Sequence, residues 1–411
     1  MKILVIVEPE RKDWYHYLTI DRSNEYVLLW HENESDIPQN LKKESFFKHV
    51  YYWTEFRSPG ALLKTIQPDR IVFFEIIDQR QIALLVAANK RKIKTFYLEH
   101  GAAGNKEAAI KRAHEDNFFS NKKIHYLIER LRTAFGSMVK SKIFYYSAGL
   151  HLSSLSSVIK YIRLPFSMLF NTPNKALANC IFPERTPFRS IVFNKPNFEQ
   201  FQVYTGITEE KAVFTGVPIF DHFYSETASE SSHIIYIEHP YLEAGILNWT
   251  PEHHKKIANI LYDFSIKRRT KILVKLHPVS DKSLWESYGF DSEFFEVVQA
   301  GDYTKEMLSG KLILAYSSSL VNGFLCAQKN LVLLGWHPQP GIFGADFSKT
   351  GLCHVSLSPD DLEAKYDYWI SHNLSKGKET EYNRFLQEFN FPFDGKAGQR
   401  VLETITTDEI S

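Results

Sequence analysis

Lys275-Leu276-His277-Pro278 closes the apolar run Ile272-Leu273-Val274 and is the strongest chemical signal in the chain. A strand that ends in His-Pro sets an imidazole at the carboxyl edge of a sheet, because proline cannot continue the ladder and fixes the turn. An imidazole placed there donates a hydrogen bond to a phosphate oxygen and offsets the charge that grows on a departing nucleotide. The plainer alternative is a turn histidine that only ends the strand. A second segment, Ala315-Tyr316-Ser317-Ser318-Ser319, follows the apolar run Leu312-Ile313-Leu314 and opens a helical stretch. One serine is enough to cap a helix. Three in a row, with backbone amides and a helix dipole behind them, read as a phosphate cradle.

Two further segments carry titratable groups at strand ends. Glu99-His100-Gly101-Ala102-Ala103-Gly104 follows the β-rich run Lys94–Leu98. Neighbours in an extended chain point opposite ways, so one of Glu99 and His100 would serve as general base on a hydroxyl while the other holds the loop. Which does which stays open. Glu238-His239-Pro240 ends another apolar run and is read as part of the same phosphate-binding edge as Lys275, His277 and Pro278. The chain has no Asp-x-Asp pair to hold a divalent ion against a diphosphate, so neither a metal nor a cofactor is expected.

These segments need sheets to position them. Short β-rich runs at Lys2–Val7, Tyr26–Trp30, His49–Trp53, Arg70–Phe74 and Lys94–Leu98 alternate with helical patterns such as Gln79–Lys90. Interleaving of this kind means a parallel sheet with helices on both faces, and ligands outside the carboxyl ends of the strands. A second series runs from Ser190–Phe193 and Ala212–Thr215 through His233–Glu238 and Lys271–Leu276 to Leu331–Leu334. The expected class is therefore α/β, with two Rossmann-like domains facing across a cleft. Residues 1–185 would form the first domain, with a helical insertion over about 117–185. Residues 186–390 would form the second, and 391–411 a closing helix. At 411 residues the chain exceeds what one core usually serves.

Composition removes several classes of partner. With 49 basic against 48 acidic residues there is no charge excess for nucleic acid. Three cysteines are too few for a disulfide framework. The amino-terminal apolar run ends in Glu8 and reads as a first strand rather than a leader, and no window is apolar for the length of a bilayer. A cytoplasmic protein is expected. The segment His151–Phe170 carries Lys160 and Arg163 and no acid. It reads either as a pair of packed helices broken at Pro165, or as a helix in peripheral contact with the inner face of the cytoplasmic membrane.

From about Lys94 onward the chain resembles the bacterial GT-B enzymes of capsule, lipooligosaccharide and teichoic acid assembly that use cytidine-activated donors. These are the sialyl- and polysialyltransferases, the Kdo transferases and the CDP-glycerol glycerophosphotransferases. The resemblance rests on Glu99-His100-Gly101, on Asn194–Asp221 closing in a Thr-Gly-x-Pro-x-x-Asp turn, on Lys-x-His-Pro followed by Ser-Ser, and on the ending Asp394–Val401. It departs where sialyltransferases carry an Asp-Asp-Gly type loop and this chain has Glu99-His100-Gly101.

The resemblance implies transfer of an acidic sugar, of sialic acid or Kdo type, from a CMP-activated donor to a saccharide acceptor, with a lipid-linked acceptor as one form. Two rivals share the fold. A CDP-glycerol-type glycerophosphotransferase fits the His-Gly loop. A UDP-sugar 2-epimerase would carry a Gly-Gly loop where Tyr316-Ser317-Ser318-Ser319 stands. A binding protein without chemistry is a third alternative. Glu99 or His100 would be the base, His277 the leaving-group donor, and Glu238, His239, Lys275, Pro278, Ser317, Ser318 and Ser319 the donor-binding set. If the reaction instead retained configuration, Asp221 and Glu238 are the carboxylates nearest by position to act as nucleophile.

Overall fold

Thirteen strands, all paired in parallel, form two sheets in the computed structural model, which describes residues 1–9, 11–36, 46–102, 104–114, 139–225, 231–277, 279–299 and 304–407. The first sheet contains β1 (Lys2–Ile6), β2 (Glu25–Leu29), β3 (His49–Tyr51), β4 (Arg70–Phe73), β5 (Lys94–Leu98), β6 (Arg189–Val192) and β7 (Ala212–Phe214), in the order β3-β2-β1-β4-β5-β6-β7. The second contains β8 (Ile234–Ile237), β9 (Ile272–Lys275), β10 (Phe295–Val298), β11 (Leu312–Ala315), β12 (Leu331–Leu334) and β13 (His354–Ser356), in the order β10-β9-β8-β11-β12-β13. Central strands such as β1, β4, β8 and β11 are apolar without alternation and almost wholly buried, as strands covered on both faces must be. Each sheet reverses its order once, between β1 and β4 in one and between β8 and β11 in the other. The crevice outside the carboxyl ends at such a reversal is where ligands bind in this class.

The chain divides into a unit of Met1–Ile219 with Ala397–Ser411 and a unit of Phe220–Lys396. This corrects the expected boundary near residue 186. The segments 190–193 and 212–215 do not open the second sheet. Ser190 pairs with Tyr97 and Ala212 with Ser190, so β6 and β7 extend the first sheet. The chain between β5 and β6 is thus a crossover within the first sheet. Strand periodicity reports that a strand exists, not which sheet it joins. The closing helix Ala397–Thr406 returns to the first unit, where Arg70 donates to the carbonyls of Ile405 and, at 2.8 Å, Thr407.

Helix Leu155–Phe170 passes through Pro165 without a break, which corrects the expected interruption. Proline has no N–H for the carbonyl four residues back, that of Tyr161. That carbonyl instead accepts the Tyr145 hydroxyl at 2.7 Å, and the Tyr161 hydroxyl donates to the Tyr145 carbonyl at 2.5 Å. The two rings stack with centroids 4.0 Å apart. Tyr145, Tyr161 and Leu164 are wholly buried in the first unit's core, with Phe73, Leu84 and Phe182.

Candidate active site

The second unit gathers the groups at its strand ends. Glu238 follows β8 and extends its ladder by donating its amide to the Lys275 carbonyl at 3.0 Å. Its buried carboxylate accepts Ser280 Oγ at 2.6 Å and the His277 amide at 3.3 Å. Burial pushes that carboxyl up to about 7, against the pull of those two hydrogen bonds. A carboxyl so enclosed holds the turn after β9 and is poorly suited to attack carbon.

His277 is the group that this turn presents. Its Nδ1 accepts the Val279 amide at 3.3 Å, which leaves the ring proton on Nε2. An imidazole in that tautomer is a neutral donor to an anionic oxygen. His239 lies beside it, with ring centroids 6.1 Å apart, and stacks on Tyr241 at 4.3 Å. His239 Nδ1 is buried without a hydrogen-bond partner, and burial, then His277, lowers the imidazole to about 4. Pro278 lies outside the described residues. The Lys275 ammonium donates to the carbonyls of Gln299 at 2.7 Å and Leu276 at 3.2 Å.

The three serines after β11 have separate places. Ser317 Oγ donates to the Ala345 carbonyl at 2.5 Å and so ties down the loop after β12. Gly344 permits this approach, since it sits at φ +95° and a Cβ there would come within 3.3 Å of Ser317 Oγ. Ser318 caps helix Ser319–Cys326 by accepting the Leu320 amide at 3.3 Å. Ser319 is exposed on the first turn of that helix. Asp221 opens the short helix Asp221–Ser225, which packs on Ser319–Cys326 rather than standing at a strand end with Glu238.

One residue escaped the sequence reading. His337 follows β12 and is buried among Tyr241, Tyr316 and Phe343, with ring centroids 4.9, 5.1 and 4.9 Å away. Its Nδ1 has no hydrogen-bond partner, and burial, then His253 and His239, holds the imidazole near 4. The signal was present. His337-Pro338 is the third His-Pro after a strand, matching His239-Pro240 and His277-Pro278.

In the first unit the carboxyl ends of β4 and β5 bring Phe74, Glu75, Glu99 and His100 together. Glu99 turns its carboxylate into its own loop. One oxygen accepts the amides of His100 at 3.0 Å and Gly101 at 3.2 Å, and the other accepts the Tyr97 hydroxyl at 3.2 Å. His100 Nδ1 lies 3.1 Å from the Phe74 carbonyl. A carbonyl only accepts, so Nδ1 carries the proton and Nε2 holds the lone pair of a base. The Trp14 ring covers this imidazole at 4.0 Å. Gly104 is required by the protein itself: a Cβ there would meet the Pro196 carbonyl carbon at 2.3 Å. Among the described residues no group of three or more His, Cys, Asp or Glu is arranged to hold a metal ion.

Residues 18–292 match the model of a family described as alpha-2,8-polysialyltransferase (POLYST). The match takes in Glu99, His100, Glu238, His239 and His277 and ends ahead of the serine turn. A search of curated proteins finds no match. Among solved structures the chain is similar to the glycotransferase of kitacinnamycin, at 10% identity over 98% of each chain, with a TM-score of 0.51. It is also similar to a UDP-N-acetylglucosamine 2-epimerase, at 11% identity over 100% of this chain and 97% of the other, with a TM-score of 0.50. At such identities the likeness is one of fold, the GT-B architecture of two Rossmann-like units.

Proposed function

This chain belongs to the alpha-2,8-polysialyltransferase family, a glycosyltransferase of surface polysaccharide synthesis, and we propose that its donor is a CMP-activated sialic acid and its acceptor a lipid-linked saccharide. In this reading an acceptor hydroxyl oxygen bonds to the anomeric carbon as the bond from that carbon to the CMP phosphate oxygen breaks. His100 Nε2 takes the hydroxyl proton, and the His277 Nε2–H donates to the phosphate oxygen that gains charge. Direct attack inverts the anomeric configuration. Glu99 shapes the His100 loop, and Glu238 holds the His277 turn. His239 and Ser319 line the phosphate edge, and Ser317 and Ser318 fix its frame.

The observation that carries the proposal is the Val279 amide on His277 Nδ1, since it leaves the neutral ring's proton on Nε2. Lipid linkage would bring the enzyme to a membrane surface without a spanning segment. Among the described residues no helix is long and apolar enough to cross a membrane.

Thermal stabilisation by CMP, CDP, UDP and GDP, read beside transfer to a labelled oligosaccharide, tests the donor. CMP is expected to raise the melting temperature most. A preference for UDP or GDP would remove the cytidine assignment, and transfer from CDP-glycerol would move the enzyme to glycerol phosphate chemistry.

A further inference from the structure

Helix Leu155–Phe170 buries one side and leaves a stripe of large apolar side chains on the other. Leu155, Ile159, Ile162, Phe166 and Phe170 are 75, 56, 47, 53 and 62% exposed. At 3.6 residues per turn they fall within about 80° of arc and run for about 22 Å along the helix. Single exposed apolar residues are ordinary, but a continuous stripe marks a surface that something covers. Arg163 is next around the helix, with Lys160 beyond it, so one flank of the stripe is basic. The preceding helical residues 139–147 repeat the arrangement, with Val139, Ile143 and Tyr146 exposed and Lys140 beside them. No acidic residue occurs anywhere in 139–170.

We propose that this face lies on an anionic phospholipid bilayer, with the stripe at the level of the acyl-chain boundary and the basic flank on the headgroups. An apolar stripe flanked by Arg163 and by Lys160, whose ammonium also donates to the Ile181 carbonyl at 2.8 Å, is the pattern of a helix lying in the membrane interface. A second copy of the chain fits it less well. A two-fold contact that ran the two helices antiparallel would oppose Arg163 and Lys160 to their own like charges. The inference deepens the lipid-linked acceptor reading and rests on it for biological purpose. Its test reads vesicle binding instead of turnover, so the two can fail separately.

Co-flotation of the full chain with vesicles of phosphatidylglycerol and phosphatidylcholine in equal parts, against pure phosphatidylcholine, is the experiment. Recovery with the anionic vesicles is expected to exceed that with neutral ones about tenfold and to fall in high salt. The double substitution Ile159→Ser with Phe166→Ser changes exposed side chains. It is expected to cut recovery about tenfold or more while the melting temperature and transfer to a short soluble acceptor stay unchanged. Lys140→Glu with Arg163→Glu should abolish the preference for anionic vesicles. Equal recovery from both vesicle types, or unchanged recovery of the serine variant, overturns the inference. So does a dimer in light scattering that the serine variant dissociates without any vesicle binding by the parent.

Discussion

His100 and His277 are held in opposite tautomers. Nδ1 of His100 faces the Phe74 carbonyl at 3.1 Å and must carry a proton, whereas Nδ1 of His277 receives the Val279 amide at 3.3 Å and must not. One ring therefore presents a lone pair at Nε2 and the other an N–H. Backbone groups set both states, so neither depends on a mobile side chain. Inverting sugar transfer needs these two roles, a proton acceptor for the incoming hydroxyl and a proton donor to the departing phosphate.

His100→Ala is expected to lower kcat by about 10²–10⁴, the usual cost of removing a positioned general base, with donor binding unchanged. Glu99→Gln should cost less, because Glu99 spends its oxygens on the His100 and Gly101 amides and the Tyr97 hydroxyl. Transfer rates at saturating donor, beside CMP binding by calorimetry, separate the two. A larger loss in Glu99→Gln than in His100→Ala would move the base to the carboxylate.

Replacing His277 by Ala should reduce kcat by about 10²–10³, as losing one donor to a developing anion does elsewhere. The loss should shrink with a donor whose leaving group needs little stabilisation, such as an aryl sialoside. A uniform loss across leaving groups would leave His277 a structural turn residue.

Much of this site is written locally. The apolar run before Lys275 and the proline after His277 mark a strand end by themselves, and Glu238-His239-Pro240 repeats the mark. What cannot be read locally is long-range. The tautomer of His100 depends on Phe74, a residue 26 positions earlier, and neither carries a sign of the other. The serine run looks uniform, yet Ser317 is claimed by Ala345 and Ser318 by the helix it caps, because tertiary partners compete for hydroxyls. β13 has only three residues, too few for a period to show. The unit boundary hid because β6 and β7 look like the opening strands of a second series, and only their distant partners in the first sheet decide where they belong.

Glu238 should make stability depend on pH. Its carboxyl ionises near the ordinary 4.5 in the unfolded chain and at about 7 in the fold, with burial as the chief cause. The folded state holds the proton longer, so this contribution is fully present below pH 4.5 and is lost as pH rises to about 7. Its size is about 3 kcal/mol. Glu238→Gln cannot ionise and should gain on the parent across that window. Melting temperatures from pH 5 to 8 are expected to diverge in favour of the variant. His239 and His337, held near 4, act with the opposite sign, their contribution lost as pH falls from 6.5 towards 4, and they do so in both proteins. Parallel curves for parent and variant would show that Glu238 is ionised throughout.

The helix through Pro165 offers a test that needs no substrate. Tyr145→Phe removes only a hydroxyl, and the stacked ring can stay in place. It strands the buried Tyr161 carbonyl, which Pro165 cannot serve, and an unpartnered buried acceptor costs about 1–3 kcal/mol. In a Pro165→Ala background the new amide at position 165 stands one helical turn beyond Tyr161 and can donate to that carbonyl itself. There the same Tyr145→Phe change should cost less than about 1 kcal/mol, because water and the helix amide replace what the hydroxyl supplied. The reverse bond, from the Tyr161 hydroxyl to the Tyr145 carbonyl, survives in every member of the cycle and cancels. Urea unfolding of the four proteins reads the coupling directly. If Tyr145→Phe costs the same with proline and with alanine at 165, the hydroxyl is not compensating for the proline, and the unbroken helix needs another cause.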